Sequence, residues 1–135
     1  WFTCYKAAGG LVRNDQGDYL FIKRHGSWDL PKGKLKKREK AKIGALREVT
    51  EETGVTGLTI AAKLPPTFHI YPFKGRMILK RTKWYLMRTS YEGDLHPQEE
   101  EGITDVCWLE PAKAREALRS SYLSLEDTLM PHLID

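Results

Sequence analysis

The sequence predicts an α/β/α sandwich built on a mixed β-sheet, in a single domain spanning residues 1–135. Three observations lead there. Strand-like segments lie on both sides of one central helix, further helices close the chain, and no linker, repeat or low-complexity segment divides it. A sheet with both faces to cover is satisfied by helices on each side. A chain of 135 residues buries a real core but is too short for two.

The elements follow in order. Residues 3–13 (TCYKAAGGLVR) and 19–23 (YLFIK) read as strands joined by the polar turn 14–18, and hence as a hairpin. Gly9-Gly10 inside the first strand marks a bulge or a close backbone approach. Residues 25–39, with two glycines and a proline, read as loop. A helix is expected from about Lys40 to Thr53, with Ala41, Ala45, Leu46 and Val49 as its apolar stripe and Gly54 as its C-terminal stop. Residues 57–64 are strand-like up to Pro65-Pro66, and PTFHIYPF reads as a strand bounded by Pro72. Lys74-Gly75 is a turn, and 76–89 is the longest strand signal. An acidic loop, 92–104, precedes a short strand from Val106 to Leu109. Pro111 opens a helix running to about Arg119, and Ser124 is placed to cap a last one.

Composition excludes several classes. Apolar and charged fractions are those of an ordinary globular chain, so disordered and collagen-like readings fail. No apolar run approaches the ~20 residues that span a bilayer, and no signal-peptide pattern opens the chain. The chain enters strand-like sequence directly at Trp1, as a chain trimmed from something longer would. Cys4 and Cys107 lie far apart in apolar stretches and read as buried free thiols, which suits the cytoplasm. The formal charge of +4, with lysines and arginines crowded between Lys32 and Lys42, favours polyanionic ligands.

Chemistry concentrates in GKLKKREKAKIGALREVTEETGV, residues 33–55. Glu48, Glu51 and Glu52 stand at i, i+3 and i+4, so the three carboxylates share one helical face and repel one another unless a cation sits among them. Hard divalent ions take such oxygen ligands. Glu39, just before the helix, is placed to join them. Arg47 is placed to pair with the carboxylates and fix their rotamers. Gly33 lets backbone approach a metal or phosphate.

These residues carry a resemblance. Gly33, Glu39, Arg47, Glu48, Val49, Glu51, Glu52, Gly54 and Val55 match every required position of the Nudix box, G-x5-E-x7-R-E-U-x-E-E-x-G-U, where U is a bulky aliphatic. Chance produces such a match in a chain of this length on the order of one time in a million. The flanking AAGGLV, WDLPKG and VCWLE also look like the family, so the resemblance spans essentially the whole chain.

The resemblance implies a Nudix fold that hydrolyses a nucleoside diphosphate linked to another moiety, with Mg²⁺ or Mn²⁺ as cofactor. It assigns Glu48, Glu51 and Glu52 as metal ligands, together with the Gly33 carbonyl. Glu52 is the candidate general base, Arg47 the orienting residue, and Glu51 the third member of the catalytic set. One of Glu99, Glu100 and Glu101 is expected to supply a further base or ligand, with Glu39 as another candidate.

Lys32 and Lys34 stand where many members carry Pro-Gly-Gly, and this form is similar to the branch of diadenosine polyphosphate, diphosphoinositol polyphosphate and RNA 5′-end hydrolases. The resemblance therefore leans toward a dinucleoside polyphosphate or a similarly phosphate-rich substrate. ADP-ribose, a nucleoside triphosphate, and a non-catalytic nucleotide sensor are the alternatives.

On the strand at 76–89, Lys80 and Lys83 are expected on one face as phosphate binders, with Arg81 opposite. Of the aromatics Trp28, Phe68, Tyr71, Trp84 and Tyr85, core packing is the first expectation for most. Trp28, in a glycine-flanked loop, is the candidate to stack on a base. The run KLKKREKAK also resembles a nucleic-acid patch, with a solvated or substrate-steering rim as the plainer reading. The four histidines show no paired spacing for zinc. The expected partner is a small phosphorylated molecule, with nucleic acid only as an RNA 5′ end and no membrane, and the chain itself as a monomer or homodimer.

Overall fold

The computed structural model describes residues 2–121 and 123–135, and only the backbone of residues 123 and 124. In chain order the described residues form β1 (Phe2–Arg13), β2 (Tyr19–Arg24), β3 (Ser27–Asp29), β4 (Lys32–Lys34), α1 (Ala41–Thr53), β5 (Thr59–Lys63), β6 (Thr67–Phe73), β7 (Arg76–Arg88), β8 (Ile103–Leu109), α2 (Pro111–Arg119) and α3 (Leu123–Leu129). Short 3₁₀ turns stand at Glu99–Glu101 and Met130–His132.

One mixed sheet gathers all eight strands. Its spine is the parallel pair β1–β7, in register from Phe2↔Met77 to Arg13↔Arg88. The other edge of β1 is shared. Near its middle it takes β4, with Ala8 opposite Gly33, and at its end the hairpin brings Tyr19 of β2 opposite Arg13. β2 continues outward to β3 and β8. The other edge of β7 is shared too, by β6 along its first half and β5 along its last residues.

Side-chain alternation along the spine sorts the apolar residues into two layers. On one side Ala8, Val12, Tyr85 and Met87 pack against Ala45 and Val49 of α1. On the other, Leu11 and Trp84 pack with Phe21 against Ala117 and Leu118 of α2 and Leu125 and Leu129 of α3. The indole N–H of Trp84 is satisfied by Thr67 Oγ1 at 2.9 Å, which lets a polar ring edge stay buried. The expected α/β/α sandwich is what forms. No helix among the described residues is long and apolar enough to cross a membrane.

The central helix ends as expected, with Gly54 left-handed at φ 83° and its N–H on the Thr50 carbonyl. The Gly9-Gly10 pair is a close approach rather than a bulge. A Cβ on Gly9 would stand 2.3 Å from the Pro31 carbonyl oxygen, and one on Gly10 would meet Met87 and Val49. β1 can therefore lie flat against both β4 and α1.

Several expectations need correction. The loop at 25–39 contains β3 and β4, strands that tertiary pairing makes from Gly- and Pro-rich sequence. β8 begins at Ile103 rather than Val106, and β6 runs through Pro72, which an edge strand tolerates. Cys4 is exposed and Cys107 half-buried, both as free thiols. Cys4 sits on the first half of β1, which α1 does not cover. Lys80 and Lys83, three apart on an unbroken strand, face opposite sides, so Lys83 shares a face with Arg81 instead. The expectation that Ser124 caps the last helix concerns a side chain outside the described residues.

The contact at Gly9 predicts that Gly9→Val, which must push β4 away, lowers unfolding stability by about 3 kcal/mol. Urea denaturation monitored by tryptophan fluorescence measures it, and a change below ~1 kcal/mol would refute the tight packing.

Candidate functional site

β1 and β2 touch only at Arg13↔Tyr19 and then diverge, and β4 occupies the gap. This splay opens a cleft of about 420 Å³ between the end of α1, β4 and the first half of the β1–β7–β6 sheet. Glu52, Lys32, Lys80, Arg24, Tyr71 and Glu101 are among its lining residues.

Glu52 follows Ala45 and Val49 at i+7 and i+3, so it continues the buried stripe of α1 where a core helix would carry an apolar residue. It is 2% exposed. One carboxylate oxygen accepts the backbone N–H of Lys32 at 3.0 Å and the other accepts Arg24 Nη2 at 2.8 Å. Burial raises its pKa, and the charge and hydrogen bond of Arg24 and the nearby Lys32 oppose that rise. Arg24 also donates Nη1 to the Glu101 carbonyl at 2.7 Å, and its buried Nε, without a hydrogen bond, stands 3.8 Å from Asp29 Oδ2. Asp29 is itself paired with Lys32 Nζ at 2.8 Å. Glu52 thus ends a buried chain of alternating charge.

Glu48 and Glu51 stand apart from it. The Nη1 of Arg47 donates to Glu48 at 2.7 Å and to Glu51 at 2.9 Å, while Nε and Nη2 grip both oxygens of Glu39 at 2.8 Å. The bidentate pair and the Lys36 backbone N–H hold the Glu39 carboxyl down to about 2. The Glu48 carboxylate lies on Gly33, where a Cβ would come within 2 Å of it. Glycine is required there by this approach alone. Burial raises the Glu48 pKa, and the charges of Glu51 and Glu101 add to the rise against the pull of Arg47.

Three carboxylates sharing one guanidinium leave two negative charges uncompensated, and hard oxygen donors so placed suit a divalent cation. The set is not a closed cage: among the described residues no three His, Cys, Asp or Glu side chains converge to hold a metal. The expectation that Glu48, Glu51 and Glu52 act from one face is therefore refined. The first two share Arg47, and the third turns inward to Arg24.

The acidic loop is tied to the helix end. The His96 N–H donates to the Thr53 carbonyl at 2.8 Å and that of Gln98 to the Glu52 carbonyl at 3.2 Å. Of the triplet, Glu101 lines the cleft, while Glu99 and Glu100 do not. Lys80 lies in the cleft with no hydrogen bond or ion pair among the described residues. Burial and the neighbouring Lys32 bring its pKa down to about 8. Lys34 lies over the ring of Tyr5 at 4.0 Å. Lys83 is on the far side of the sheet.

Trp28 is also elsewhere, edge-on to Phe21 with Lys23 over its ring. The rings at the cleft are Tyr5, Tyr71 and His69, the last two 5.1 Å apart. Arg24 and Tyr5 carry no local signal in sequence, and Asp29 has only its place in WDLPKG. Only the pairing of β2 and β1 with distant strands brings them here.

Comparison with known proteins places this geometry. The NUDIX domain family matches residues 5–129, and the chain belongs to that family, whose members hydrolyse phosphoanhydride bonds and generally use divalent metals. It is similar to a protein of Mycobacterium tuberculosis provisionally named mutator protein MutT4, at 38% identity over 76% of this chain, of which it spans 45%. It is 30% identical to an RNA pyrophosphohydrolase of Dinoroseobacter shibae, over 84% of this chain and 82% of that one. The fold superposes on an Ap4A hydrolase of C. elegans with a TM-score of 0.73 at 22% identity, covering 95% of this chain and 94% of the other.

The Glu39–Arg47 pair generates a pH prediction. The Glu39 carboxyl titrates near 4.5 when free and near 2 when folded, so its stabilisation is complete above pH 4.5 and fades as pH falls toward 2. Glu39→Gln should cost on the order of 1 kcal/mol at neutral pH, a figure reduced for partial solvent access. The gap between variant and wild type should close by pH 2, as followed by denaturation at several pH values.

Proposed function

We propose that this chain is a divalent-metal-dependent pyrophosphohydrolase of a phosphate-rich nucleotide, with a dinucleoside polyphosphate as the favoured substrate. The observation that carries the reading is Lys80, a half-buried cation beside Lys32 and Arg24 with no carboxylate of its own. Cations held this close, at the expense of one another's charge, favour an anion between them. A run of consecutive phosphates supplies that anion, and an aromatic wall of Tyr5 and Tyr71 offers a surface for a base.

Glu48, Glu51 and Glu52, with the Gly33 carbonyl, are the residues proposed to hold Mg²⁺ or Mn²⁺. Bound there, the ion would neutralise phosphoryl oxygens and lower the pKa of an attacking water. Arg47 keeps Glu48 and Glu51 in place and partly balances their repulsion. Glu52, aimed by Lys32 and Arg24, accepts the proton of the water. Glu101 is the member of the acidic triplet proposed to assist. Lys32, Lys34 and Lys80 orient the phosphates for in-line displacement, where positioning and charge supply most of the catalysis. Mn²⁺ or Mg²⁺ preference, the bond broken and a cytoplasmic setting belong to this reading.

The test is hydrolysis of diadenosine polyphosphates, ADP-ribose, nucleoside triphosphates, diphosphoinositol phosphates and 5′-triphosphate RNA, with either metal. Glu52→Gln should lower kcat at least a hundredfold. ADP-ribose turning over best would sink the polyphosphate reading, and tight binding without turnover would point to a nucleotide sensor.

Lys80 gives a second expectation. It is charged below about pH 8 and neutral above, so kcat/KM for a polyphosphate should fall as pH rises past 8. In Lys80→Gln that step should vanish and KM should rise roughly tenfold.

A further inference from the structure

The proposed function leaves unused the cationic run that follows β4 and the bare half of the sheet beside it. α1 covers its face of the spine only from Ala8 onward. Below that point the rows Lys6–Arg81–Phe68 and Cys4–Leu79–Ile70 run across β1, β7 and β6 on the same face, exposed except for the half-buried Leu79. Phe2, Phe68 and Ile70 are 56%, 52% and 54% exposed, an apolar surface larger than scattered single residues would give. The guanidinium of Arg81 lies over the Phe68 ring at 5.9 Å.

Along the β1 side of this surface runs a groove of about 380 Å³, walled by the segment from Lys34 to Glu39 and joined to the cleft through Tyr5, Lys6 and Lys34. Its cations are Lys6, Lys34, Lys36, Lys37 and Arg38, and its one acidic lining residue is Glu39. That carboxylate is turned away and consumed by Arg47. The groove's lining thus carries five cationic side chains against one carboxylate. Arg38, at φ 65°, bends the chain here.

We infer that this outer face is a binding site for a single-stranded polynucleotide. The backbone would lie in the Lys6–Arg38 groove and bases would stack on the Phe68 and Phe2 side of the sheet. A charged track beside exposed rings is the combination by which single strands are held without regard to sequence. An apolar protein partner would not need the cations, and a plain polyanion would not need the rings. The site is separate from the cleavage reading, because a strand with no anhydride at its end would occupy it equally. Its continuity with the cleft means that a bound strand can lead its 5′ end toward Lys80 and Glu52.

The test uses a 5′-hydroxyl oligouridylate, which carries no anhydride to cleave, and reads fluorescence anisotropy over a range of salt concentrations. Binding should weaken at least tenfold in Lys36→Gln/Lys37→Gln/Arg38→Gln, and the slope of log affinity against log salt should fall by about two. Phe68→Ala should weaken binding several-fold and leave that slope unchanged. All four positions are exposed, and hydrolysis of a diadenosine polyphosphate by both variants should stay at the wild-type level. No binding at low salt, or binding indifferent to the triple substitution, would overturn the inference. So would inorganic polyphosphate binding as tightly with Phe68→Ala neutral, or capture by phosphatidylglycerol vesicles in place of the oligonucleotide. Failure of the substrate panel with oligouridylate still bound would overturn the cleavage reading alone.

Discussion

The parallel ladder between β1 and β7 is the constraint on which the rest of the molecule hangs. Parallel strands cannot be joined by a tight turn, so everything from residue 14 to residue 75 must serve as the connection between them. That connection contains α1, which lands on one face of the ladder, and the segments β4 and β6, which attach to its two margins. The chemistry sits where those attachments leave a gap. β4 wedges between β1 and the diverging β2, and the end of α1 drops Glu52 onto the Lys32 amide. The site follows from how a parallel pair is closed.

Charge organises the gap at two levels. Deep inside, Lys32, Asp29, Arg24 and Glu52 alternate in sign, so each of these four charges faces an opposite one. Beside it, Arg47 gives four hydrogen bonds to Glu39, Glu48 and Glu51 and one to the Lys34 carbonyl, and a surplus of negative charge remains among the three carboxylates. Buried pairs of this kind add little net stability when replaced wholesale, yet removing one partner is costly. Their contribution is position: each carboxylate has one place to be.

Much of this was legible in the sequence, for identifiable reasons. Period and capping residues set α1 and its stop at Gly54, Pro111 set the start of α2, and Gly9-Gly10 left a bulge or a close approach open, between which only the structure decides. The box spacing put Glu48, Glu51 and Glu52 on one helix. It could not show that Glu52 turns inward, because Arg24, which holds it there, lies on a strand with no local link to the motif. β3 and β4 escaped because glycine- and proline-rich residues become strand only when a neighbour offers a ladder. Cys4 is exposed despite its apolar neighbours in sequence, since the first half of β1 lies beyond the reach of α1. Lys83 leaves the cleft because three residues along an unbroken strand reverse the direction of the side chain from Lys80.

The same ladder shapes how the chain reaches its fold. Phe2 pairs with Met77 and Arg13 with Arg88, so each contact closes a loop of 75 residues. Closing such a loop costs roughly 4 kcal/mol of chain entropy before any contact repays it. Hairpins such as β6–β7 and the turns of α1 form within microseconds from neighbours in sequence. During synthesis β1 emerges well before β7, so it waits for the whole connection to be made before it finds its mate. The exposed Phe2 and Cys4 end of β1 is thus open to mispairing while the protein is being built.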